Sequence, residues 1–344
     1  MECKFILSCQ TDSEQLCLNE IKNISKDFKL LKWLDGGVGL AEHNTGFSEI
    51  SKIFREEKPV FLRHIFPVEF IFNVSDCDKI IDIYKEKIDK NIAMSVQIRN
   101  KSAGSAYNLK EIKNYFVDCF ESAGYLYNKS EPGIIISVFI DGGDNKIYAG
   151  MSESEENLSI WPGGMIRYAL NDNVISRAEF KLLELFEYYP DLLKKTGTAL
   201  DLGASPGGWT KILAEKGYKV TAVDPNKLDE TFSDCPNVIY YKGLTEDFIK
   251  NINKSQKFDL IVNDMRMHIV QSARIMIEIQ EYLRENGLAV ITFKLNKSSK
   301  TAAIRDGLNI LKEKYEILFM KQLFHNRHEI TVVLGKKIFL RGIG

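Results

Sequence analysis

Hydrophobic and polar positions alternate in a regular order along the C-terminal half of the chain. Apolar runs of strand length are followed by stretches with helical spacing of apolar residues, which predicts a mostly parallel sheet with helices on both faces. A capping box, Ser176-x-x-Glu179, marks the start of a helix over 176–189. Only a short segment separates the final two runs, so an antiparallel pair is expected at one edge. The predicted strands are 198–202, 219–223, 238–241, 259–263, 288–293, 316–320 and 329–334.

The N-terminal half combines strands and helices in a less regular order, which is typical of an α+β domain. Segments 4–10 and 93–100 are predicted strands, and 77–88 and 109–125 are predicted helices. This half lacks the clustered polar residues of an active site, so we interpret it as an accessory binding domain. A polar stretch with proline and glycine follows and predicts a linker. The predicted division is into modules 1–75 and 76–155, a linker 156–175 and a domain 176–344.

Length and composition narrow the class of protein. The chain has 344 residues, of which 44% are hydrophobic, enough for two domains with ordinary cores. No apolar run in the sequence reaches the length of a membrane span, and the N-terminal segment predicts a strand and not a signal peptide. The six cysteines are scattered without a C-x-x-C pair. We therefore expect reduced thiols, no metal site, no membrane partner and a cytoplasmic location.

Charge is distributed unevenly although the net charge is only −1. Residues 1–160 contain 19 Lys and Arg against 25 Asp and Glu, and the remainder contains 27 against 22. The mildly basic C-terminal part permits a nucleic-acid partner there.

The stretch "ALDLGASPGGWTKIL" (199–213) contains the candidate chemistry. Its Gly203–Gly207 segment fits the G-x-S-x-G pattern of a hydrolase nucleophile elbow. In that elbow the N–H of the residue after the serine helps to form the oxyanion hole, and Pro206 has no N–H. Ser205 is therefore not expected to be a nucleophile. The dinucleotide pattern G-x-G-x-x-G also fails, because Ser205 and Pro206 occupy its centre.

The surrounding elements still predict an adenosyl ligand at this turn. A strand leads into the glycines, a helix begins at about Gly208, and the next strand ends at Asp224. A carboxylate about twenty residues beyond the turn can accept both ribose hydroxyls of the ligand. The helix N-terminus can bind a carboxylate. A ligand with a ribose and a carboxylate but no phosphate fits this loop, and S-adenosylmethionine has that structure.

"DLGASPGGW" resembles the first motif of class I methyltransferases, and its Pro-Gly-Gly-Trp ending is most similar to the FtsJ-like RNA ribose 2′-O-methyltransferases. The resemblance implies a Rossmann-like, doubly wound α/β sheet with an antiparallel edge strand. It also implies S-adenosylmethionine as cofactor and RNA as substrate. The cofactor-binding residues that it implies are Asp201, Gly203, Ala204, Ser205, Pro206, Gly207, Gly208, Trp209, Asp224 and Asp264.

The FtsJ-like family has a Lys-Asp-Lys-Glu tetrad, and each member has a counterpart here. "SRAEFKL" supplies Lys181 on the helix before the glycine turn, and "DLIVNDM" supplies Asp264. "AVITFKL" supplies Lys294, and "RHEITVVL" supplies Glu329. Asp264 and Lys294 follow the ends of predicted parallel strands, where ligands bind in doubly wound sheets. The resemblance therefore implies that these four residues are catalytic.

The chemistry of 2′-O-methylation explains the residue types of the tetrad. A ribose hydroxyl is a poor nucleophile, and a lysine can accept its proton or stabilise the developing alkoxide. We predict Lys294 in this role, partly neutral because of desolvation and the nearby Lys181 cation. Asp264 and Glu329 would orient the two lysines and balance their charge.

Two other methyl-transfer chemistries fit the sequence less well. Enzymes that methylate amino groups commonly have Asn/Asp-Pro-Pro-aromatic after the fourth strand, where this chain has Asn263–Arg266. Pyrimidine C5 enzymes need a cysteine nucleophile, and Cys235 precedes the third strand of the domain, away from this site.

Further segments narrow the resemblance. "LNKSSK" after Lys294 and the C-terminal "HEITVVLGKK" are similar to RlmM-type enzymes, which methylate a cytidine ribose in 23S ribosomal RNA. Residues 1–75 resemble a ferredoxin-like module and 76–155 a THUMP domain, a type associated with RNA. A transfer RNA or base methyltransferase remains an alternative, as does a non-catalytic RNA-binding factor. Candidate RNA contacts on the catalytic side are Lys297, Lys300, Arg305, Lys336, Lys337 and Arg341.

Overall fold

The apolar runs of the N-terminal half form two four-stranded sheets in a computed structural model of the protein. The first sheet has the order β2-β3-β1-β4, in which every pairing is antiparallel. Its β-α-β-β-α-β connectivity is the ferredoxin-like arrangement. Its elements are β1 (Cys3–Ser8), α1 (Glu14–Ile24), β2 (Lys29–Asp35), β3 (Val38–His43), α2 (Phe47–Glu57) and β4 (His64–Pro67). The structure describes residues 2–101, 107–169, 173–190, 196–295 and 300–337.

Strand β1 is apolar on both faces because each face is covered. Phe5 and Leu7 belong to the core under helices α1 and α2, whereas Ile6 belongs to a second core that includes Phe139 and Tyr148 of the other sheet. Alternate side chains of a strand point to opposite faces, so one strand serves both cores. Helix α2 was not predicted from the sequence, although its buried Ile50 and Phe54 have helical spacing.

The second sheet has the order β5-β8-β7-β6, with β6 and β7 parallel. Strand β5 pairs with β8, so the change from the first sheet to the second lies between Pro67 and Phe70 and not at residue 75. The physical reason is that Phe70 and Phe72 pack against the core of the second sheet. Its elements are β5 (Phe70–Asn73), α3 (Cys77–Lys87), β6 (Met94–Asn100), α4 (Leu109–Glu121), β7 (Ile134–Asp141) and β8 (Lys146–Glu153).

A buried histidine lies in β4. The His64 side chain is only 1% exposed, and neither ring nitrogen has a hydrogen-bond partner within the described part of the chain. Burial, helped by the cation of Arg99, lowers the pKa of His64 to about 3. The imidazole is therefore neutral in the folded protein at every pH at which most proteins are stable.

The stability of this unit is expected to fall in mild acid because of His64. His64 takes up a proton near pH 6.5 in the unfolded chain but only near pH 3 in the folded chain. The free energy of unfolding is therefore unaffected by His64 above pH 6.5 and falls progressively as the pH drops below it. At pH 5 the loss should be about 2 kcal/mol. Hydrogen exchange of β1 and β4 in the full chain measures it, and His64→Leu should remove the dependence. His268→Asn, at an exposed helix cap, is the matched control and should keep it. If the stability of His64→Leu depended on pH as strongly as that of the parent protein, this account would be contradicted.

The C-terminal unit, residues 167–344, contains a seven-stranded sheet in the order β11-β10-β9-β12-β13-β15-β14. The first five strands in this order are parallel, and β15 pairs antiparallel with both β13 and β14. The predicted doubly wound sheet with an antiparallel edge is thus confirmed. The strands are β9 (Gly197–Leu202), β10 (Tyr218–Asp224), β11 (Val238–Lys242), β12 (Phe258–Asn263), β13 (Leu283–Lys294), β14 (Tyr315–Lys321) and β15 (Glu329–Lys336). The helices are α5 (Ala178–Tyr188), α6 (Gly208–Glu215), α7 (Thr245–Asn251), α8 (Ile269–Ile279) and α9 (Lys300–Leu311).

Over the residues that the structure describes, we find no helix with both the length and the apolar character that crossing a membrane requires.

Candidate active site

The glycine turn joins the end of β9 to the start of α6. Gly203 has φ 77° and Gly207 has φ 122°, conformations that favour glycine. A Cβ at Gly203 would lie 2.5 Å from Cγ of Met265, and one at Gly207 would lie 2.2 Å from Cε2 of Phe232. Both glycines are therefore required by the backbone path and by close neighbours.

Ser205 has a structural role in this turn. Its hydroxyl donates to the carbonyl of Lys227 at 2.8 Å, and its backbone N–H donates to Oδ2 of Asp224 at 3.1 Å. No hydrogen bond joins the hydroxyl to a general base among the described residues. The geometry agrees with the prediction that Ser205 is not a nucleophile.

Ser205→Ala should therefore leave methyl transfer within roughly threefold of the parent rate, because only one neutral hydrogen bond is lost. Steady-state transfer from labelled S-adenosylmethionine measures the effect. A loss of more than about a hundredfold, with cofactor affinity retained, would restore a chemical role for the hydroxyl.

Asp224 is positioned to bind a ribose. It ends β10, is 8% exposed, and its Oδ1 accepts from the backbone N–H of Asn226 at 2.7 Å. Together with the Ser205 N–H, this bond fixes the carboxylate beside the glycine turn and leaves further lone pairs for two hydroxyls. The residues thus fit the adenosyl group of S-adenosylmethionine, which Asp224 and the turn backbone would hold.

Three other residues predicted to bind the cofactor lie beneath the turn. Asp201 is 1% exposed and accepts from the Thr210 hydroxyl at 2.6 Å, and its burial raises its pKa to about 7. Trp209 is 3% exposed and its indole N–H donates to the carbonyl of Ala178 at 2.7 Å. Ala204 packs in a small apolar cluster. Their side chains hold the turn and α5 in place.

The four predicted catalytic residues meet at the carboxyl end of the parallel strands. Lys181 Nζ lies 3.1 and 3.0 Å from the two carboxylate oxygens of Asp264, and 2.6 Å from Oε2 of Glu329. Lys294 Nζ contacts Oδ1 of Asp264 and lies 3.0 Å from Oε1 of Glu329. Each carboxylate therefore bridges both lysines, and the tetrad is a closed ring of alternating charge.

Sheet topology explains why residues so distant in sequence meet. Asp264 directly follows β12, and Lys294 ends the neighbouring parallel strand β13. The antiparallel register of β13 and β15 places Glu329 directly opposite Lys294. Helix α5 brings Lys181 to the same end, where Trp209 ties the first turn of that helix to α6.

Burial and the neighbouring charges shift the pKa values of Lys181 and Asp264 in opposite directions. Burial lowers the pKa of Lys181, but the carboxylates of Asp264 and Glu329 outweigh it, so the pKa is raised. Burial raises the pKa of Asp264, but Lys294 and Lys181 outweigh it and lower the pKa. The contacts therefore stabilise the ammonium form of Lys181 and the carboxylate form of Asp264.

Sequence reasoning missed one residue that supports the tetrad, Thr292. The Thr292 hydroxyl donates to Oδ1 of Asp264 at 2.6 Å. Thr292 lies two residues before Lys294 on the same face of β13, and this spacing is the signal that could have found it.

The capping box of α5 is half formed. Glu179 accepts from the backbone N–H of Ser176 at 3.1 Å, but the Ser176 hydroxyl has no partner within the described residues.

A cleft of about 590 Å³ opens beside the tetrad. The tetrad residues Lys181, Lys294 and Glu329 are part of its lining. The other lining residues are Arg177, Ala178, Arg266, Met267, Leu295, His325, Asn326, Arg327 and His328.

Two of the predicted RNA contacts lie at the end of β15 that is farther from this cleft. Lys336 ends β15, whereas Glu329 begins it, and Lys337 follows Lys336. A strand of this length separates its ends by about 23 Å. Arg305 is an exposed residue of α9. Lys297, Arg341 and the side chain of Lys300 lie outside the described residues.

Known proteins are similar to this chain in the region that contains the site. Residues 174–325 match the model of the FtsJ-like methyltransferase family. An uncharacterized protein of Methanocaldococcus jannaschii is 32% identical over 168 residues, which cover 47% of each chain. A ribosomal RNA large subunit methyltransferase M of Laribacter hongkongensis is 32% identical over 190 residues, 51% of this chain and 52% of that protein. Aeropyrum pernix fibrillarin, solved with natively bound S-adenosyl-L-methionine, has a TM-score of 0.38 at 13% identity and covers 57% of this chain and 81% of that chain.

The sheet order, the glycine turn and Asp224 define the C-terminal unit as a class I, S-adenosylmethionine-dependent methyltransferase domain. Residues 174–325, which make up less than half of the chain, are similar to the FtsJ-like methyltransferase family. The predicted resemblance to the FtsJ-like family, the fold class and the cofactor are thus confirmed. The matched segments span about half the length of the first relatives, 47% and 52%.

Proposed function

We propose that the protein methylates a ribose 2′-hydroxyl of large-subunit ribosomal RNA, at a cytidine. The observation that carries the proposal is the closed ring of Lys181, Asp264, Lys294 and Glu329 beside an adenosyl-binding turn. The methyltransferase M relative supports the RNA class. The geometry offers no cysteine nucleophile among the described residues near the ring, which fits an oxygen acceptor better than a pyrimidine carbon.

Each tetrad residue has a distinct part in this proposal. S-adenosylmethionine supplies the methyl group from a sulfonium that needs no metal to activate it. Lys294, which lies between the two carboxylates, accepts the proton of the 2′-hydroxyl or stabilises the negative charge that develops on the 2′-oxygen. The new O–C bond forms as the S–C bond of the sulfonium breaks, and S-adenosylhomocysteine leaves. Lys181 fixes both carboxylates from the other side, and Asp264 and Glu329 set the direction of the lysines. The reaction then depends mainly on positioning.

We further propose that the N-terminal unit contributes a second contact with RNA. Its acidic balance, 19 basic against 25 acidic residues over 1–160, argues for recognition of shape rather than broad electrostatic attraction. The THUMP-like assignment of residues 76–155 stays a prediction.

The test is methyl transfer from labelled S-adenosylmethionine to total RNA, followed by identification of the labelled nucleoside. Labelled 2′-O-methylcytidine in 23S RNA is the expected result. Label in a base or in transfer RNA would support the alternative substrates. RNA binding without any label would point to a non-catalytic factor and contradict the proposed activity.

A further inference from the structure

The turn between β14 and β15 forms one wall of the catalytic cleft. Four consecutive residues, His325 to His328, line the cleft and lead directly into Glu329 of the tetrad. We call Phe324–His328 the cleft turn. None of its residues belongs to the predicted tetrad or to the predicted cofactor site.

A buried carboxylate anchors the cleft turn. Glu184 of α5 is 1% exposed and accepts from the backbone N–H groups of Phe324 at 2.8 Å and His325 at 3.0 Å. It also lies 2.8 Å from Nδ1 of the His325 ring, which packs beside Phe180 and Tyr168. A buried carboxylate with several donors is a rigid support, because releasing it would leave a buried charge without compensation. The cleft turn is therefore held in one conformation relative to α5.

Arg327 adopts a backbone conformation that suits glycine. Its φ is 54° and its ψ is −107°, a region that residues with a Cβ rarely occupy. The Gln322 amide donates to the Arg327 carbonyl at 2.9 Å and helps to maintain this conformation. The Arg327 side chain is exposed at the cleft. Since glycine would suit the backbone better, what arginine contributes lies in its side chain.

The cleft has the charge of an anion-binding surface. Exposed Arg177, Arg266 and Arg327 come to it from three separate elements. Among its described lining residues, the only carboxylate is Glu329, which is already paired with both tetrad lysines. A guanidinium binds a phosphate with two parallel hydrogen bonds. In RNA, phosphodiesters flank every ribose, so a phosphate must lie close to a 2′-hydroxyl presented to the tetrad.

We propose that the cleft turn binds a phosphodiester of the substrate RNA next to the methylated nucleotide, with the Arg327 guanidinium as the contacting group. This inference rests on the proposed function only for the identity of the anion. Glu184 acts through the turn as a positioning residue. The rigid turn fixes the phosphate, and the phosphate fixes the ribose against Lys294.

Arg327→Gly tests the proposal because a structural role and a binding role predict different results. The variant should unfold at the same temperature as the parent protein or at a higher one, since the backbone is relieved. It should raise the KM for RNA about tenfold, with kcat changed less than about threefold and S-adenosylmethionine affinity unchanged. The slope of log binding constant for single-stranded RNA against log salt concentration should fall by about 0.7, the value for one lost phosphate contact.

Lys58→Gly is the matched control. Lys58 is also an exposed cation with positive φ, 48°, at the C-terminal cap of α2. It should likewise keep or raise the unfolding temperature, without a change in KM or salt slope. Arg327→Lys should restore only part of the affinity, because an ammonium cannot make the paired contact.

The outcomes separate this inference from the proposed activity when RNA binding and methyl transfer are both measured. If the parent protein methylates RNA but Arg327→Gly has parental KM and salt slope, the phosphate contact is refuted and the activity stands. If the parent binds RNA in an Arg327-dependent way without methylating it, the contact stands and the activity is refuted. A parent protein that neither binds nor methylates RNA refutes both.

Discussion

Replacing Lys294 by methionine is expected to lower the rate of methyl transfer by about a hundredfold to ten-thousandfold while S-adenosylmethionine still binds. Methionine keeps most of the apolar stem but removes the Nζ group that lies between Asp264 and Glu329. The loss should appear in kcat, because the interaction with the 2′-oxygen strengthens only as charge develops there. Single-turnover transfer and cofactor titration measure the two effects separately.

Lys250→Met is the matched control for this substitution. Lys250 is 73% exposed on α7, and within the described residues its ion pair is with Asp247. Its loss should leave transfer unchanged, since exposed pairs contribute little. Full transfer by Lys294→Met, with cofactor binding retained, would exclude Lys294 from the chemistry.

Asp264→Asn is expected to destabilise the domain and to stop methyl transfer together. The tetrad would then hold two cations and one carboxylate, and breaking such a buried pair costs about 3 kcal/mol. The Asp264 pKa is lowered in the folded state, so the carboxylate stabilises the domain above about pH 4 and this contribution is lost as the pH falls further. The difference in unfolding free energy between parent and variant should therefore shrink below pH 4. Chemical denaturation over this pH range measures it.

A second substitution distinguishes charge balance from catalysis. Adding Lys181→Met to Asp264→Asn restores neutrality, with one lysine and one carboxylate left in the ring. The double variant should recover much of the stability and none of the activity, a coupling that a double-mutant cycle measures. Additive losses in stability would mean that the two side chains do not interact in the manner that their 3.0 Å separation implies.

The tetrad was predictable because strand ends are informative positions. Asp264 and Lys294 each follow a clear apolar run, and carboxyl ends of adjacent parallel strands meet at one edge. The structure adds the register, which places Glu329 opposite Lys294 and could not be read from spacing. It also shows that each carboxylate contacts both lysines.

Other features depend on distant contacts that local sequence does not encode. Glu184 and His325 are 141 residues apart, and neither belongs to a recognisable motif. Trp209 was assigned to the cofactor because its motif surrounds the turn, but its side chain points into the core. Lys336 and Lys337 are close to Glu329 in sequence. They lie at the other end of β15, away from the tetrad.

The position of β15 between β13 and β14 has a consequence for biosynthesis. Lys181, Asp264 and Lys294 are translated before Glu329, and without it they have an excess of one positive charge. The neutral ring forms only when β15 enters the gap beside β13. A nascent chain on the ribosome therefore carries a cationic, incomplete site until nearly all of the domain has been made.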